Sequence, residues 1–226
     1  MSLASSPPTR RLPDVERREL ILEAAERAFV RNGFHATTMQ YVADEAGMSA
    51  GNLYRYFPSK EAIVEGLCQV EQGRRAESFA AFADFMAHNG NLTELMRKGL
   101  REHVFDKPLG KARMIVEMWA EAGRNARVAK ITQEIDADVL AGLERLIDVA
   151  KAAGAASPAL DSRFGARVFV TLVAGFFKRI SVEPDFDPDA ETAIAVGVLG
   201  ALFAGALAPV PAPAAPSKES ESCAAR

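Results

Sequence analysis

Residues 37–60, TTMQYVADEAGMSAGNLYRYFPSK, carry the signals of two short helices joined by a tight turn. Thr38 is placed to cap the first helix through its hydroxyl. Gly47 follows where a helix end favours a residue that accepts a positive φ, and Ser49 can cap the second helix. Two short helices around a glycine-containing turn form a helix-turn-helix unit, whose second helix enters the major groove of DNA.

The second helix of this unit is short and rich in hydrogen-bonding side chains. We expect Leu53 and Phe57 to face inward, which leaves the polar side chains for the groove. Asn pairs with adenine and Arg with guanine, so Asn52 and Arg55 are predicted to read bases. Sugar and phosphate contacts are expected from tyrosines and from groups at helix N-termini. The predicted DNA-binding residues are Thr38, Ser49, Ala50, Gly51, Asn52, Tyr54, Arg55, Tyr56 and Lys60.

The alternative for this stretch is a helical hairpin in an unrelated domain. Two tyrosines beside an arginine favour DNA binding, since a purely structural surface has no need of them. The stretch also resembles the signature of the tetracycline-repressor (TetR) family of bacterial regulators, over about residues 17–67. The matching positions are Gly33-Phe34, Thr37-Thr38, Val42-Ala43, Ala46-Gly47, Ser49, Gly51, Leu53-Tyr54, Phe57 and Lys60. The resemblance implies DNA contacts from Thr38, Tyr54, Tyr56 and Lys60.

The composition is that of an ordinary globular protein, with 226 residues, 49% apolar and 25% charged. The net charge of −3 argues against a non-specific nucleic-acid coat. Residues 1–60 hold 8 Lys and Arg against 7 Asp and Glu, so the mild basic surplus lies at this end. The two cysteines form no disulfide framework, and residues 1–14 lack the apolar core of a signal peptide. A bacterial cytoplasmic protein, associated with the nucleoid when bound to DNA, is therefore expected.

Helical periodicity recurs along the whole chain, and no strand-like alternation persists. The expected fold is all-α with about nine helices. We predict a flexible arm (1–12), a three-helix DNA-binding domain (13–60), a larger helical ligand-binding and dimerisation domain (61–208) and a disordered tail (209–226). The first expected helix begins at Asp14 and ends before Gly33, and the next two lie within 37–60. The remaining helices are expected to span 60–87, 92–105, 109–122, 125–153, 160–182 and 190–208.

The last two helices carry an apolar surface that favours dimerisation. The eighth reads as apolar around most of its circumference, and the ninth has small residues four positions apart. The family resemblance implies a four-helix interface between two subunits here, whereas ordinary core within one subunit is the alternative. The expected interface residues are Phe169, Val173, Phe176, Ile194, Gly197, Val198, Ala201, Leu202 and Gly205. Residues 192–208 lack charge but fall short of the roughly 20 apolar residues of a membrane helix, so no membrane partner is expected.

The middle helices hold no pattern of catalytic or metal-ligating residues, so neither an enzyme nor a cofactor is predicted. Their methionines and aromatic residues suit an adaptable apolar pocket, although such residues are more often plain core. The candidate lining is Phe82, Met86, Met96, Met114, Met118, Trp119 and Phe169. Glu117, Glu121 and Asp136 are candidates to receive a cation. Residues 118–130 resemble the body of regulators near the choline/betaine repressor subgroup.

These features predict a homodimeric transcriptional regulator that binds a pseudo-palindromic operator in double-stranded DNA. We expect a repressor that an unknown small-molecule effector releases from the operator. The alternative is a DNA-binding regulator whose body senses a protein partner, or no ligand. A body filled by its own side chains would favour that alternative, and an enclosed cavity of several hundred Å³ would favour the effector.

Overall fold

A computed structural model describes residues 13–207, which contain only helices and no strand. The expected all-α fold is therefore confirmed for this part of the chain. The arm (1–12), the tail (209–226) and Ala208 lie outside the described residues. The nine α-helices are α1 (Asp14–Asn32), α2 (Met39–Glu45), α3 (Ala50–Tyr56), α4 (Lys60–Asn89), α5 (Leu92–Leu100), α6 (Leu109–Ala122), α7 (Ala126–Ala152), α8 (Ser162–Val182) and α9 (Pro188–Phe203).

The capping signals in residues 37–60 act as their sequence predicts. The Thr38 hydroxyl accepts a hydrogen bond from the backbone N–H of Tyr41 at 3.1 Å, and α2 starts after it. Ser49 does the same for the N–H of Asn52 at 3.3 Å and starts α3. Gly47 has a φ of 64°, a conformation that costs glycine little. Local chemistry alone therefore sets both ends of the turn.

The fifth and ninth helices differ most from their predicted spans. The fifth helix changes after Leu100 into a π-helical turn, Arg101–Phe105, which carries the chain to the loop before α6. The ninth helix begins at Pro188, because the Asp187 carboxylate accepts hydrogen bonds from the next two N–H groups. It ends at Phe203, five residues before the expected end, and Gly205 beyond it has a φ of 81°.

Helices α1, α2 and α3 pack around a first core. Phe29, Val42, Leu53 and Phe57 are each at most 1% exposed, and Leu53 and Phe57 therefore face inward as predicted. This core does not stop at residue 60, because it also contains Ile63 and Val64 of α4 and Ile131 of α7. Apolar packing is thus continuous from the helix-turn-helix unit into the body of the protein.

The close packing of α6 on α1 depends on a glycine. A Cβ atom at Gly110 would lie 2.2 Å from the carbonyl oxygen of Val30 and 2.7 Å from its Cγ1. No side chain fits there without moving α6. The first turn of α6 therefore lies directly against the C-terminal half of α1, and a displacement of either helix is transmitted to the other.

The outer face of α9 is apolar and open to solvent in the protomer. Ile194 is 55% exposed and Val198 41% exposed, and Ala193, Gly197 and Ala201 lie exposed beside them. Helix α8 differs from the expectation, since its exposed positions include Arg163, Arg167, Thr171 and Lys178. No helix among residues 13–207 is long and apolar enough to cross a membrane.

Two of the residues expected at the subunit interface belong instead to the interior of the protomer. Phe176 is 4% exposed and Leu202 is fully buried, and both lie in the body core with Leu199 and Phe203. Phe169 and Val173 are half-buried, whereas Gly205 is exposed. The spacing of four residues on α9 merged the inner face of this helix with its outer one, and the interface itself stays a prediction.

Candidate DNA interface and ligand cavity

Helix α3 presents a compact set of polar side chains on its outer face. Tyr54 is 51% exposed, and Arg55 and Gly51 are also exposed, while Asn52 is half-buried. Leu53 at the centre of the helix is fully buried and fixes this orientation. Among the other predicted DNA-binding residues, Thr38 and Ser49 are exposed caps and Ala50 is half-buried. The arrangement leaves hydrogen-bonding groups free on one side of a rigid helix.

Tyr56 is held against α1 and does not stand free beside Tyr54. Its hydroxyl donates a hydrogen bond to Asp14 Oδ1 at 3.3 Å. Arg18 donates to the Tyr56 carbonyl oxygen at 3.0 Å and lies over the ring of Phe57, 4.4 Å from its centroid. The first two turns of α1 thereby fix the C-terminal end of α3.

Lys60 faces the protein, in contrast to the phosphate contact predicted for it. Its ammonium donates hydrogen bonds to the carbonyl oxygens of Phe34 (2.7 Å), His35 (3.3 Å) and Thr37 (3.0 Å). It also lies 4.3 Å from the centroid of the Phe34 ring. Burial lowers the pKa of Lys60 from its ordinary value. The family pattern correctly marked this position as important, but its partners here are backbone carbonyls, so we withdraw the predicted phosphate contact.

The same loop is held from its other side by a carboxylate of α6. Glu117 Oε2 accepts a hydrogen bond from the Phe34 N–H at 2.6 Å and lies 3.5 Å from the His35 nitrogen. From the sequence, Glu117 was only a candidate to receive a cation. Its true partner lies 83 positions earlier in the chain, so no local pattern could have revealed the contact.

A cavity of about 400 Å³ is lined by helices of the body and by residues of the first core. Six of the seven candidate pocket residues line it: Phe82, Met96, Met114, Met118, Trp119 and Phe169. Met86 does not line the cavity and is fully buried in the body core. The wall is mostly apolar, and one stripe of α7 supplies much of it: Ile131, Ile135, Val139, Leu143, Leu146 and Ile147.

Apart from Asp136, the polar part of the wall was not identified from the sequence, because its members are far apart in the chain. These side chains are Glu71, Arg75, Ser78, His103, Lys107, Lys111, Thr132 and Asp136. Asp136 is the single candidate cation receptor on the wall, and burial raises the pKa of its carboxyl group. Burial also raises the pKa of the Cys68 thiol to about 11, so this wall residue stays protonated at neutral pH. Residues 13–207 hold no cluster of metal-ligating side chains.

Comparison with protein families gives two matches that together cover most of the described chain. Residues 21–67 match the family model described as bacterial regulatory proteins, tetR family. Residues 92–204 match the model described as BetI-type transcriptional repressor, C-terminal. The first match coincides with α1, α2, α3 and the start of α4, and the second with the helices around the cavity.

Individual relatives match this chain along most of its length. The HTH-type transcriptional regulator UidR of Escherichia coli K12 is 27% identical over 196 residues, covering 84% of this chain and 92% of UidR. The structure of Salmonella enterica GusR superposes with a TM-score of 0.69 at 24% identity, over 86% of this chain and 99% of that one. The structure of FadR of Bacillus subtilis in complex with stearoyl-CoA superposes with a TM-score of 0.67 at 19% identity. The match covers 81% of this chain and 98% of that one.

Replacing Lys60 by Met tests its role in the loop. The variant keeps the apolar stem and removes three hydrogen bonds to carbonyl oxygens, so we expect the free energy of unfolding to fall by about 1.5–3 kcal/mol. Urea unfolding measures this change, with Lys130→Met as the matched control, because Lys130 is an exposed lysine of α7. Equal stabilities of the two variants would contradict the structural role of Lys60.

Proposed function

Because the chain belongs to the TetR family of bacterial regulatory proteins, we propose that it is a homodimeric repressor that a small-molecule effector releases from its operator. The protein is a DNA-binding transcriptional regulator built on a helix-turn-helix unit. Helix α3 enters the major groove, with Asn52 and Arg55 on base edges and Tyr54 on sugar and phosphate. The two copies in a dimer bind half-sites of a pseudo-palindrome, separated by about one helical turn of DNA or a multiple of it.

The observation that supports a small-molecule effector is the position of the cavity. Its wall includes Phe29 and Phe34, which also belong to the core of the helix-turn-helix unit. It also includes Met114 and Met118, which lie on either side of Glu117 in α6. A molecule in the cavity therefore contacts the same residues that hold the DNA-binding helices in place.

The mechanism we propose is a shift between two arrangements of the dimer. Helix α4 begins at Lys60 beneath the helix-turn-helix unit and extends about 45 Å through the body, forming part of the cavity wall on the way. An effector that binds one arrangement more tightly displaces α4 and α6 together with the loop they hold. The two copies of α3 then no longer match the spacing of the half-sites.

The alternative, a body that responds to a protein partner or to no ligand, is less well supported. A volume of about 400 Å³ lies within the range of small-molecule sites, and the protein's own side chains do not fill it. Activation of transcription, in place of repression, is a second candidate function. The activator FasR of Mycolicibacterium smegmatis is 35% identical to this chain, but over only 97 residues, which cover 35% of this chain and 44% of FasR. The match to a repressor-type C-terminal region favours repression.

The DNA-binding assignment is tested on operators recovered by genome-wide capture of bound DNA. We expect Tyr54→Ala to weaken binding to every operator. Asn52→Ala and Arg55→Ala should each remove about 1–3 kcal/mol of preference at one base position, because each loses a base-edge contact. Gel-shift titrations on operator variants measure both effects, with Arg74→Ala as a control on the body. The assignment of α3 fails if these three variants bind all operators as the unaltered protein does.

The dimer is tested at the exposed face of α9. Val198→Asp places a charge in the proposed apolar interface, so we expect the dissociation constant of the dimer to rise roughly tenfold or more. Sedimentation velocity gives the subunit stoichiometry. Val70→Asp on α4 is the matched control, since both valines are 41% exposed in the protomer. An unchanged dimer in Val198→Asp would place the interface elsewhere.

Coupling between the cavity and the helix-turn-helix unit is tested at Glu117. Glu117→Gln keeps an acceptor but loses the charge, which weakens the hydrogen bond to Phe34 by about 1 kcal/mol. We expect faster amide hydrogen exchange at Phe34 and His35 and an operator affinity lowered roughly fivefold. The control is Glu134→Gln, an exposed glutamate of α7. If exchange and affinity both stay at the level of this control, α6 does not hold the loop in the way proposed.

A further inference from the structure

We infer that the effector is a mostly apolar molecule with one carboxylate group, and that this group binds at Arg75 and His103. The inference rests on the proposed function and specifies the chemical class of its ligand. The evidence is a pair of polar atoms that the fold buries on the cavity wall and leaves without a hydrogen bond.

The two atoms are Arg75 Nε on α4 and His103 Nε2 in the π-helical turn. Both are inaccessible to solvent, and neither has a hydrogen-bond partner among the described residues. A buried donor without an acceptor destabilises a protein by an amount comparable to a lost hydrogen bond. Buried polar groups normally have partners, so each exception calls for an explanation. An acceptor on a bound molecule supplies one for both atoms.

Both side chains line the cavity, and both have Glu71 as a neighbour. Arg75 lies one turn after Glu71 on α4, and the charges of Lys107 and Glu71 both act on the His103 imidazole. The His103 ring also packs edge-on against Phe82 of α4, with 5.5 Å between the ring centroids. One anionic group on this part of the wall is the proposed partner of both atoms.

The charge on this part of the wall is positive once the internal ion pairs are considered. Lys111 is bound by Glu26, and Glu71 is bound by Arg74 at 2.9 Å. Arg75 and Lys107 have no ion pair within residues 13–207 and remain uncompensated. Burial, followed by the charge of Lys107, lowers the pKa of His103, so the ring is neutral and can donate one hydrogen bond from Nε2. Arginine with a neutral histidine is a suitable receptor for a carboxylate.

The rest of the wall determines the remainder of the ligand. The α7 stripe and the side chains of Leu95, Leu100, Trp119 and Phe169 offer only apolar surface. Asp136 is the other acidic group on the wall, and it is partly exposed, with its pKa raised by burial. The raised pKa disfavours its charged form, which weakens it as a receptor for a cation. A ligand with an apolar body and a single anionic group fits this distribution.

The test compares ligands that differ only in the head group. Hexanoate, decanoate and 4-phenylbutanoate are titrated beside the primary amide and the trimethylammonium compound of each carbon skeleton, below micelle-forming concentrations. Isothermal titration calorimetry measures binding to the full chain without DNA. Quenching of Trp119, the sole tryptophan, reports occupation of the cavity. We expect at least one carboxylate to bind, and to bind roughly tenfold or more tightly than its amide and its ammonium counterpart.

Variants locate the head group. Arg75→Gln should weaken binding of that carboxylate roughly tenfold to a hundredfold, because a charge-assisted hydrogen bond is lost. Arg145→Gln is the matched control: it removes an arginine of α7 that is exposed and does not line the cavity, and should leave affinity within about twofold. Lys107→Gln is a second test if Arg75→Gln fails to fold, and circular dichroism establishes folding for each variant.

The inference is overturned if an amide or ammonium compound binds as tightly as the carboxylate, if no carboxylate binds, or if the folded Arg75 and Lys107 variants both retain full affinity. A preference for decanoyl-CoA over decanoate would also overturn it, since the thioester removes the carboxylate. A separate gel-shift arm with the bound carboxylate distinguishes this inference from the proposed function. Binding without release of the operator would leave the ligand class intact and refute the effector role, whereas operator release by a cationic compound would do the reverse.

Discussion

The structure depends on how one short loop, residues 33–37, is held between two opposite charges. The Lys60 ammonium binds three of its carbonyl oxygens, and the Glu117 carboxylate binds the Phe34 N–H. Lys60 begins α4, and Glu117 lies on α6. The orientation of the DNA-binding helices relative to the body is therefore set by charge-assisted hydrogen bonds to backbone groups, which are directional and strong. A shift of either helix by an ångström changes their geometry.

This arrangement explains why the cavity can matter for DNA binding although it is not close to α3. Its wall shares Phe29 and Phe34 with the first core and includes residues adjacent to Glu117. Tightly packed interiors transmit displacement because they have little free volume to absorb it. The missing side chain at Gly110 lets α6 lie directly on α1 and adds a second path for the same motion. These shared contacts support the proposed link between occupation of the cavity and the orientation of the helix-turn-helix unit.

The comparisons agree with this division of the molecule. The family-wide match covers the helices that meet DNA, and the narrower match to a repressor-type C-terminal region covers the helices that surround the cavity. Relatives at 17–27% identity share the fold, which leaves the polar residues on the cavity wall free to differ between them. Arg75, His103 and Lys107 are therefore the residues through which this chain would define its own ligand.

The sequence by itself determined the helices and the identity of the DNA-binding unit, because caps, glycine turns and apolar periodicity act over a few residues. It placed Thr38, Ser49 and Gly47 correctly, and six of its seven candidate pocket residues, all methionine or aromatic, line the cavity. Only the tertiary structure decided which face of a helix is inside, as for Leu202, and which distant groups meet. Lys60 and Glu117 have partners 23 to 26 and 82 to 83 positions away. Such contacts leave no local pattern, since they depend on how the helices pack together.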